Sequence, residues 1–428
     1  MLKATVSKQK QDKERLLSLP YIERTKEKDA QKWLSSDLIK VILGPRRAGK
    51  SVFALMLLKE QSFAYFNFDD ESLLPGEEKF DLDELMTELK LAYGETKYIL
   101  FDEIQNLPNW ELFVNRLHRA GYNLVLTGSN ASLLSKELAT YLTGRHIPIE
   151  ILPFNFTEVL KAKQYEVTAD KLSLPEEKAK LLGILNQYMT SGGYPEVITK
   201  GVDPRGYLDV LFDAVLFKDV VKRHKVRFSE QIDSLGSYLI NNVSGQYSPK
   251  KLANVLGFKS QVTLVKYLGY LTESYLIFPL SRHSTKTGIR LRSSKKTYVV
   301  DNGFVTAKAV QHSPNTGKLM ENLVFTELVK KGNQPGRELF YYKTRNDREI
   351  DFVLKTGYQV VELIQVCYDI KNPDVEEREV KALIEAGKEL NITGLTVLTW
   401  NEKRVVEKDG MTIRFKPLWE WLLEPIKT

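Results

Sequence analysis

The sequence predicts an α/β protein: a three-layer domain on a parallel sheet comes first, and a smaller α/β unit comes last. Three observations carry this. The apolar run Val41-Ile42-Leu43 passes through a glycine-framed turn into the apolar segment Val52 to Leu58. Two further apolar runs, Ile99-Leu100-Phe101 and Leu124-Val125-Leu126, end in polar residues and alternate with helix-periodic stretches, as βα units around a parallel sheet do. The alternation returns after residue 306, with Leu339-Phe340-Tyr341 and Ile350 to Leu354 as strand candidates.

The turn reads Gly44-Pro45-Arg46-Arg47-Ala48-Gly49-Lys50-Ser51. It is a G-x-x-x-x-G-K-S phosphate loop between a predicted strand and a predicted helix. Its glycines allow successive backbone N–H groups, through Val52, to converge on an anion, and the helix N-terminus adds positive partial charge. Lys50 is expected to reach the β- and γ-phosphates of ATP, and Ser51 to hold Mg²⁺. Arg46 and Arg47 have no firm role beyond bracing the loop.

Composition bounds the rest. A chain of 428 residues exceeds one ordinary core, so several domains are expected. Hydrophobic residues at 43% and charged residues at 27% are those of a soluble globular protein. A single cysteine, Cys367, excludes a disulfide framework and a cysteine-based zinc site, and the five histidines show no metal-ligand spacing. Both facts suit a reducing cytoplasm. The lysine-rich start has no apolar signal segment, and no stretch is long enough to span a membrane. The net charge of +7 favours a polyanionic partner.

In chain order, residues 1–37 read as a charged helical lead-in anchored by Trp33 and Leu34. Residues 38–153 form the phosphate-loop domain. Within it, Ser62 to Phe68 is a second strand, and Leu82, Leu85, Met86 and Leu89 mark an amphipathic helix. The third strand, Tyr98 to Phe101, runs into Asp102-Glu103. A buried parallel strand ending in two acids puts Asp102 where it can hold Mg²⁺ and Glu103 where it can act as general base on water. The next strand ends at Thr127-Gly128-Ser129-Asn130. Thr127, Ser129 and Asn130 are all candidates to sense the γ-phosphate, with Ser129 carried forward as a catalytic candidate. Arg145, ahead of the strand Ile147 to Leu152, is either an arginine finger or a structural arginine.

Residues 154–227 read as an irregular helical lid interrupted at Gly192-Gly193-Tyr194-Pro195. Residues 228–305 hold three helices, then a strand and a basic hairpin, the parts of a winged helix. Candidate DNA contacts are Lys259, Gln261 and Lys266 on the third helix, and Arg282, Lys286, Arg290 and Arg292 on the wing, with Lys295 and Lys296 beside them. Residues 306–428 are the second α/β unit.

These pieces resemble the archaeal and bacterial AAA+-related P-loop ATPases that carry a C-terminal domain of unknown function. The resemblance rests on Gly44 to Ser51, Phe101-Asp102-Glu103-Ile104-Gln105, Leu126 to Asn130, Leu142-Thr143-Gly144-Arg145 and Ile350-Asp351-Phe352-Val353. It spans nearly the whole chain. It implies a P-loop three-layer ATPase domain followed by a helical lid, a winged helix and a restriction-endonuclease-like α/β fold. It also implies Asp102 as the Mg²⁺-coordinating acid and Glu103 as the catalytic acid.

An endonuclease of that fold needs an acid ending one strand and acid-x-lysine on the next. Asp351 fits the first position. The next strand offers Gln365 at the acid position and Cys367 at the lysine position, so both functional groups are lost. If Glu362 is the acid, Ile364 falls at the lysine position, and Glu362 and Gln365 point to opposite faces. Glu321 on the preceding helix is a further carboxylate. The expectation is a nuclease fold without nuclease activity. Three functions compete: an ATP hydrolase that couples turnover to DNA binding or remodelling, a nucleotide-dependent switch on a protein partner, and an ATP-regulated nuclease. If Arg145 acts in trans, the chain must form a homo-oligomer such as a ring.

Overall fold

The computed structural model describes residues 2–73, 81–129, 144–309 and 315–425. Asn130, the helix start expected at Ala131 to Leu134, and Leu142-Thr143 lie outside them. The chain divides into two compact units, Met1–Pro153 and Phe154–Thr428.

The first unit opens with helices α1 (Leu2–Leu17) and α2 (Glu27–Leu34). Its core follows as β1 (Ile39–Leu43), α3 (Lys50–Leu57), β2 (Phe63–Asn67), α4 (Leu82–Tyr93), β3 (Tyr98–Asp102), α5 (Trp110–Arg119), β4 (Asn123–Gly128) and β5 (His146–Glu150). The strands pair in parallel in the order β2-β3-β4-β1-β5. β1 is buried throughout, as a strand covered on both faces must be. Ile39, Val41 and Leu43 pack with Leu2, Val6 and Leu85 on one face. Ile42 packs with Phe53, Ala54 and Leu57 of α3 on the other. Lys40 shares that second face and is fully buried. Its ammonium donates to the Ser36 carbonyl (2.6 Å) and to Asn123 Oδ1 (2.7 Å), and burial pulls its pKa down to about 8. The lead-in is helical and Leu34 packs against the core as expected, but Trp33 is exposed, and Leu2, Val6 and Ala30 are buried as further anchors. α2 turns its tryptophan outward because Ala30 occupies the buried side of so short a helix.

The second unit begins with α6 (Phe156–Ala162), α7 (Ala169–Ser173), α8 (Pro175–Ser191), α9 (Pro195–Lys200) and α10 (Pro204–Ala214), which runs on as a wider π-helical segment, Val215–Lys222. The turn at Gly192-Gly193 is built around Asp301, whose carboxylate accepts the N–H groups of Gly193 (2.7 Å) and Gly303 (2.9 Å). A Cβ on Gly192 would meet Asp301 Oδ1 at 1.6 Å. Only glycine fits there, at φ +78°.

Then come α11 (Ser229–Asn241), β6 (Gln246–Tyr247), α12 (Pro249–Val255), α13 (Gln261–Glu273), β7 (Ile277–Leu280), α14 (Thr287–Arg292) and β8 (Lys295–Val299). The three strands form an antiparallel sheet in the order β6-β8-β7. The expected basic hairpin is therefore interrupted: α14 occupies its tip. After α15 (Asn302–Ala307) and α16 (Thr316–Lys330), a six-stranded mixed sheet is built from β9 (Leu339–Lys343), β10 (Glu349–Thr356), β11 (Gln359–Cys367), β12 (Leu395–Thr399), β13 (Arg404–Lys408) and β14 (Met411–Pro417). α17 (Pro373–Leu390) crosses between β11 and β12, and α18 (Leu418–Leu423) ends the chain's described helices. The order is β13-β14-β12-β11-β10-β9, with β11, β12 and β14 parallel.

Candidate functional site

The phosphate loop leaves β1 at Gly44, where φ is +147° and a Cβ would lie 1.9 Å from the Ile151 carbonyl oxygen. Glycine is required because the loop's first turn presses against the chain leaving β5. Arg47 and Gly49 also have positive φ, 65° and 91°, so Pro45 to Gly49 curls over the start of α3. Arg24 braces the loop from behind, donating to the carbonyls of Ala48 (3.0 Å) and Leu152 (2.5 Å).

Lys50 opens α3, is 4% exposed, and points its ammonium at the Pro45 carbonyl (3.0 Å) with a Glu103 carboxylate oxygen 3.9 Å away. Ser51 Oγ donates to Asp102 Oδ1 at 2.9 Å. β4 lies between β1 and β3, and so puts Thr127 between the loop and the acids. The Thr127 hydroxyl donates to Asp102 Oδ1 and accepts the Glu103 N–H at 3.0 Å. Tyr65 from β2 donates to Asp102 Oδ2 at 3.3 Å. Burial, and then the neighbouring Glu103 charge, push the Asp102 pKa up. Tyr65 is likewise raised, first by burial and then by Asp102. A cation beside Asp102 would relieve that penalty.

Glu103 sits at φ 50°, a left-handed conformation that costs a non-glycine residue about 1 kcal/mol or more and recurs at functional sites. Gln105 Nε2 donates to Glu103 Oε2 and lies 3.4 Å from Ser129 Oγ. A carboxylate only accepts, so the amide nitrogen must face Glu103. Gln105 Oε1 is then buried without a hydrogen-bond partner. Sequence reasoning gave Gln105 no role. The signal was present, two residues beyond Glu103, but only the short 3₁₀ turn Ile104–Asn106 brings its side chain back to Glu103.

Arg145 is not in this site. It precedes β5, and its carbonyl accepts the N–H of Ile39 at the start of β1 (2.8 Å). The phosphate loop leaves the other end of β1, five residues and about 16 Å away. An arginine side chain does not span that, so the reading of Arg145 as a finger acting in cis is corrected.

In the second unit, Lys259, Gln261 and Lys266 are exposed on and beside α13, as are Lys286 and Arg292 around α14, with Arg290 half-exposed. Arg282 is corrected. It is half-buried and donates to the Lys343 carbonyl at 2.7 Å, which ties it to β9. Lys296, expected on the wing, is 1% exposed and faces acids. Asp351 is buried, and its Oδ2 accepts the Val366 N–H (3.0 Å). Gln365 accepts the Asp351 N–H (3.3 Å) and donates to Glu379 (2.6 Å). Cys367 is buried, and burial pushes its thiol up to about 12.

An uncharacterised protein of Methanocaldococcus jannaschii is 38% identical to this chain over 413 residues, spanning 92% of this chain and 90% of its own. The chain belongs to that protein's family. An uncharacterised Haemophilus influenzae protein is 30% identical over 404 residues, covering 91% of this chain and 95% of its own. Residues 36–160 match the AAA domain, residues 183–314 and 316–420 match two domains of unknown function, DUF8612 and DUF4143. The first unit of this family member is thus a P-loop ATPase domain of the AAA kind. A Walker-type ATPase of Pyrococcus abyssi is similar at 16% identity and a TM-score of 0.42, over 68% of this chain and 99% of its own. The Aeropyrum pernix Orc1 protein, solved in complex with DNA, is similar at 11% and 0.32, over 74% and 97%. Neither likeness is close enough to bear on activity. None of the described helices is long and apolar enough to cross a membrane.

Proposed function

We propose that this chain is a Mg²⁺-dependent ATP hydrolase whose turnover is coupled to DNA held by its second unit. The observation that carries the hydrolase is the convergence of Ser51, Asp102, Thr127 and Glu103 beside Lys50. The backbone of Gly44 to Val52 cradles the phosphates. Lys50 leaves the Pro45 carbonyl for the β- and γ-phosphate oxygens. Ser51 Oγ, 2.9 Å from Asp102 Oδ1, would hold Mg²⁺ directly, and Asp102 would hold it through water. The ion would supply neutralisation of the phosphate charge. Glu103 takes the proton of the attacking water. Ser129 and Gln105 line the path of that water. Arg145 serves a neighbouring copy's site, in a homo-oligomer.

The DNA half is supported by the exposed Lys259, Gln261, Lys266, Lys286 and Arg292 and the half-exposed Arg290, on and beside α13 and α14; we read these helices, with α11, α12 and the three-stranded sheet, as a winged helix. Residues 154–227 are read as the lid, 228–305 as the winged helix and 306–428 as the endonuclease-like domain without nuclease activity. The helix, three strands, helix and strand from α16 to β12, with Asp351 on the second strand, support the last. A second reading, a nucleotide-dependent switch on a protein partner, is favoured by α13 itself: Val262 is 78% and Val265 49% exposed among its polar residues, and apolar side chains so placed suit a protein surface.

The deciding measurement is the ATPase rate with and without single-stranded, duplex and branched DNA, with Lys50→Ala as the blank. Stimulation that weakens steeply with salt supports DNA coupling. Turnover indifferent to every DNA form would sink it and leave the switch.

A further inference from the structure

Four side chains from three separate elements meet at one point in the second unit. Glu349 and Asp351 lie two residues apart on β10, so both face the same side of the sheet. Glu321 comes from α16, and Lys296 comes from β8 of the smaller sheet. The Lys296 ammonium lies 2.5 Å from Glu321 Oε1, 2.8 Å from Glu349 Oε1 and 3.1 Å from Asp351 Oδ1. The ammonium donates a hydrogen bond to Asp351 Oδ1 and is ion-paired with Glu321 and Glu349. The carboxylates are held in turn: Tyr298 donates to Glu321 (2.7 Å), Gln246 donates to Glu349, and the Val366 N–H donates to Asp351.

We propose that the Lys296 ammonium takes the place of the divalent cation in a carboxylate cluster, so that the C-terminal sheet keeps the acids of a metal centre but fills the metal position with one of the chain's own side chains. Calling that centre hydrolytic rests on the endonuclease-like reading of residues 306–428; the occupied cation position does not.

The residues present do not fit a metal as they stand. The carboxylate oxygens surround the nitrogen at 2.5–3.1 Å, whereas Mg²⁺ draws oxygens to about 2.0–2.1 Å and keeps several waters. Among the described residues no group of His, Cys, Asp and Glu is spaced to hold a metal ion. The neighbouring strand adds no acid, because Gln365 and Cys367 stand at its two functional positions. Lys296 itself is 1% exposed, so the ammonium and not solvent fills the space between the acids. Yet the cluster is a cation site by charge. Three carboxylates face one ammonium, and the shortfall in positive charge shows in Glu321, which burial and then the Asp351 charge raise to about 7. Burial acts to lower the Lys296 pKa, but the carboxylates, Glu321 foremost, raise it well above the usual lysine value. The ammonium therefore stays charged and in place.

Chelator-treated, nucleotide-free full-length protein tests this with Mn²⁺ as the probe, by calorimetry and by the Mn²⁺ spin-resonance signal. Wild type is expected to show no Mn²⁺ site that depends on Asp351. Lys296→Met, close in shape but uncharged, should gain one Mn²⁺ site, at least about tenfold tighter than any wild-type binding, and lose it again in Lys296→Met with Asp351→Asn. The same variant should melt below wild type in chelator and recover with Mn²⁺, while wild type ignores the metal. A wild-type Mn²⁺ site abolished by Asp351→Asn would overturn the proposal, as would a folded Lys296→Met that takes no metal, or one that fails to fold in chelator and Mn²⁺ alike. Metal-dependent DNA cleavage by wild type, lost on Asp351→Asn, would overturn both this and the inactive-nuclease reading. The ATPase rate of the same preparations tests the hydrolase separately.

Discussion

Gln105 shows how much a single amide can decide. Its nitrogen fixes Glu103, and its buried carbonyl oxygen has no donor. An orphaned acceptor costs about 1–3 kcal/mol, a cost that an attacking water donating to it would remove. Gln105→Leu is expected to lower kcat about tenfold to a hundredfold with ATP affinity unchanged. A kcat within twofold of wild type, or an equal loss of ATP affinity, would show that Gln105 does no more than pack. At the same scale, Glu321 makes stability depend on pH. Its folded-state pKa is raised to about 7 from the ordinary glutamate value of 4.5, so the folded state binds more protons than the unfolded chain in between. Its contribution is complete below about 4.5 and is lost as pH rises through 7. Asp301, raised to about 6 by burial, acts in the same direction. Below pH 6.5 His283, whose pKa burial lowers to about 4, acts in the opposite direction, so the readout is the difference between wild type and Glu321→Gln: the variant should lose less melting temperature than wild type between pH 6.5 and pH 8. Parallel wild-type and Glu321→Gln curves over that range refute the assignment.

Between elements, Asp301 joins the Gly192-Gly193 turn to the start of α15 by two N–H groups that nothing else accepts so closely. Asp301→Ala leaves both buried and should cost about 2–5 kcal/mol, read as a lower urea midpoint for the second unit with ATP binding by the first unit retained. A loss under about 0.5 kcal/mol would mean water replaces the carboxylate easily. This is also the scale at which the sequence stopped being legible. The phosphate loop and Asp102-Glu103 could be read because their chemistry is local: eight consecutive residues, and two acids ending a strand. Thr127 could be narrowed to three candidates, because strand ends are visible but strand order is not. Lys296 could not be read at all. Beside Lys295 it looks like one more surface cation, and only the pairing of β8 with β6 and β7 turns it inward. Arg282 was misplaced for the same reason, since its backbone bridges to Tyr341 on β9. The α14 helix was missed because its polar, glycine-containing sequence matches a hairpin tip as well as a short helix.

Across the whole molecule, strand direction decides the fate of Arg145. β5 runs parallel to β1, which places Arg145 at the opposite end of the sheet from the phosphate loop. Its only route to a transition state is another copy's site. Mixing Arg145→Ala with Glu103→Gln protein should restore ATPase activity above that of either alone, because some shared sites then regain both groups; a mixture no more active than its components removes the finger role. The Lys296 cluster has a last consequence, for how this chain can be divided. The two C-terminal family matches part at residue 315, with Lys296 before the break and Glu321, Glu349 and Asp351 after it. A fragment beginning at 316 would carry three clustered acids, Asp351 of them buried, and no lysine between them, and one ending at 314 would carry a buried lysine with none of these acids. Breaking such a pair costs several kcal/mol on each side. Both segments are therefore expected to be less stable when produced apart than when joined, although sequence similarity draws a boundary between them.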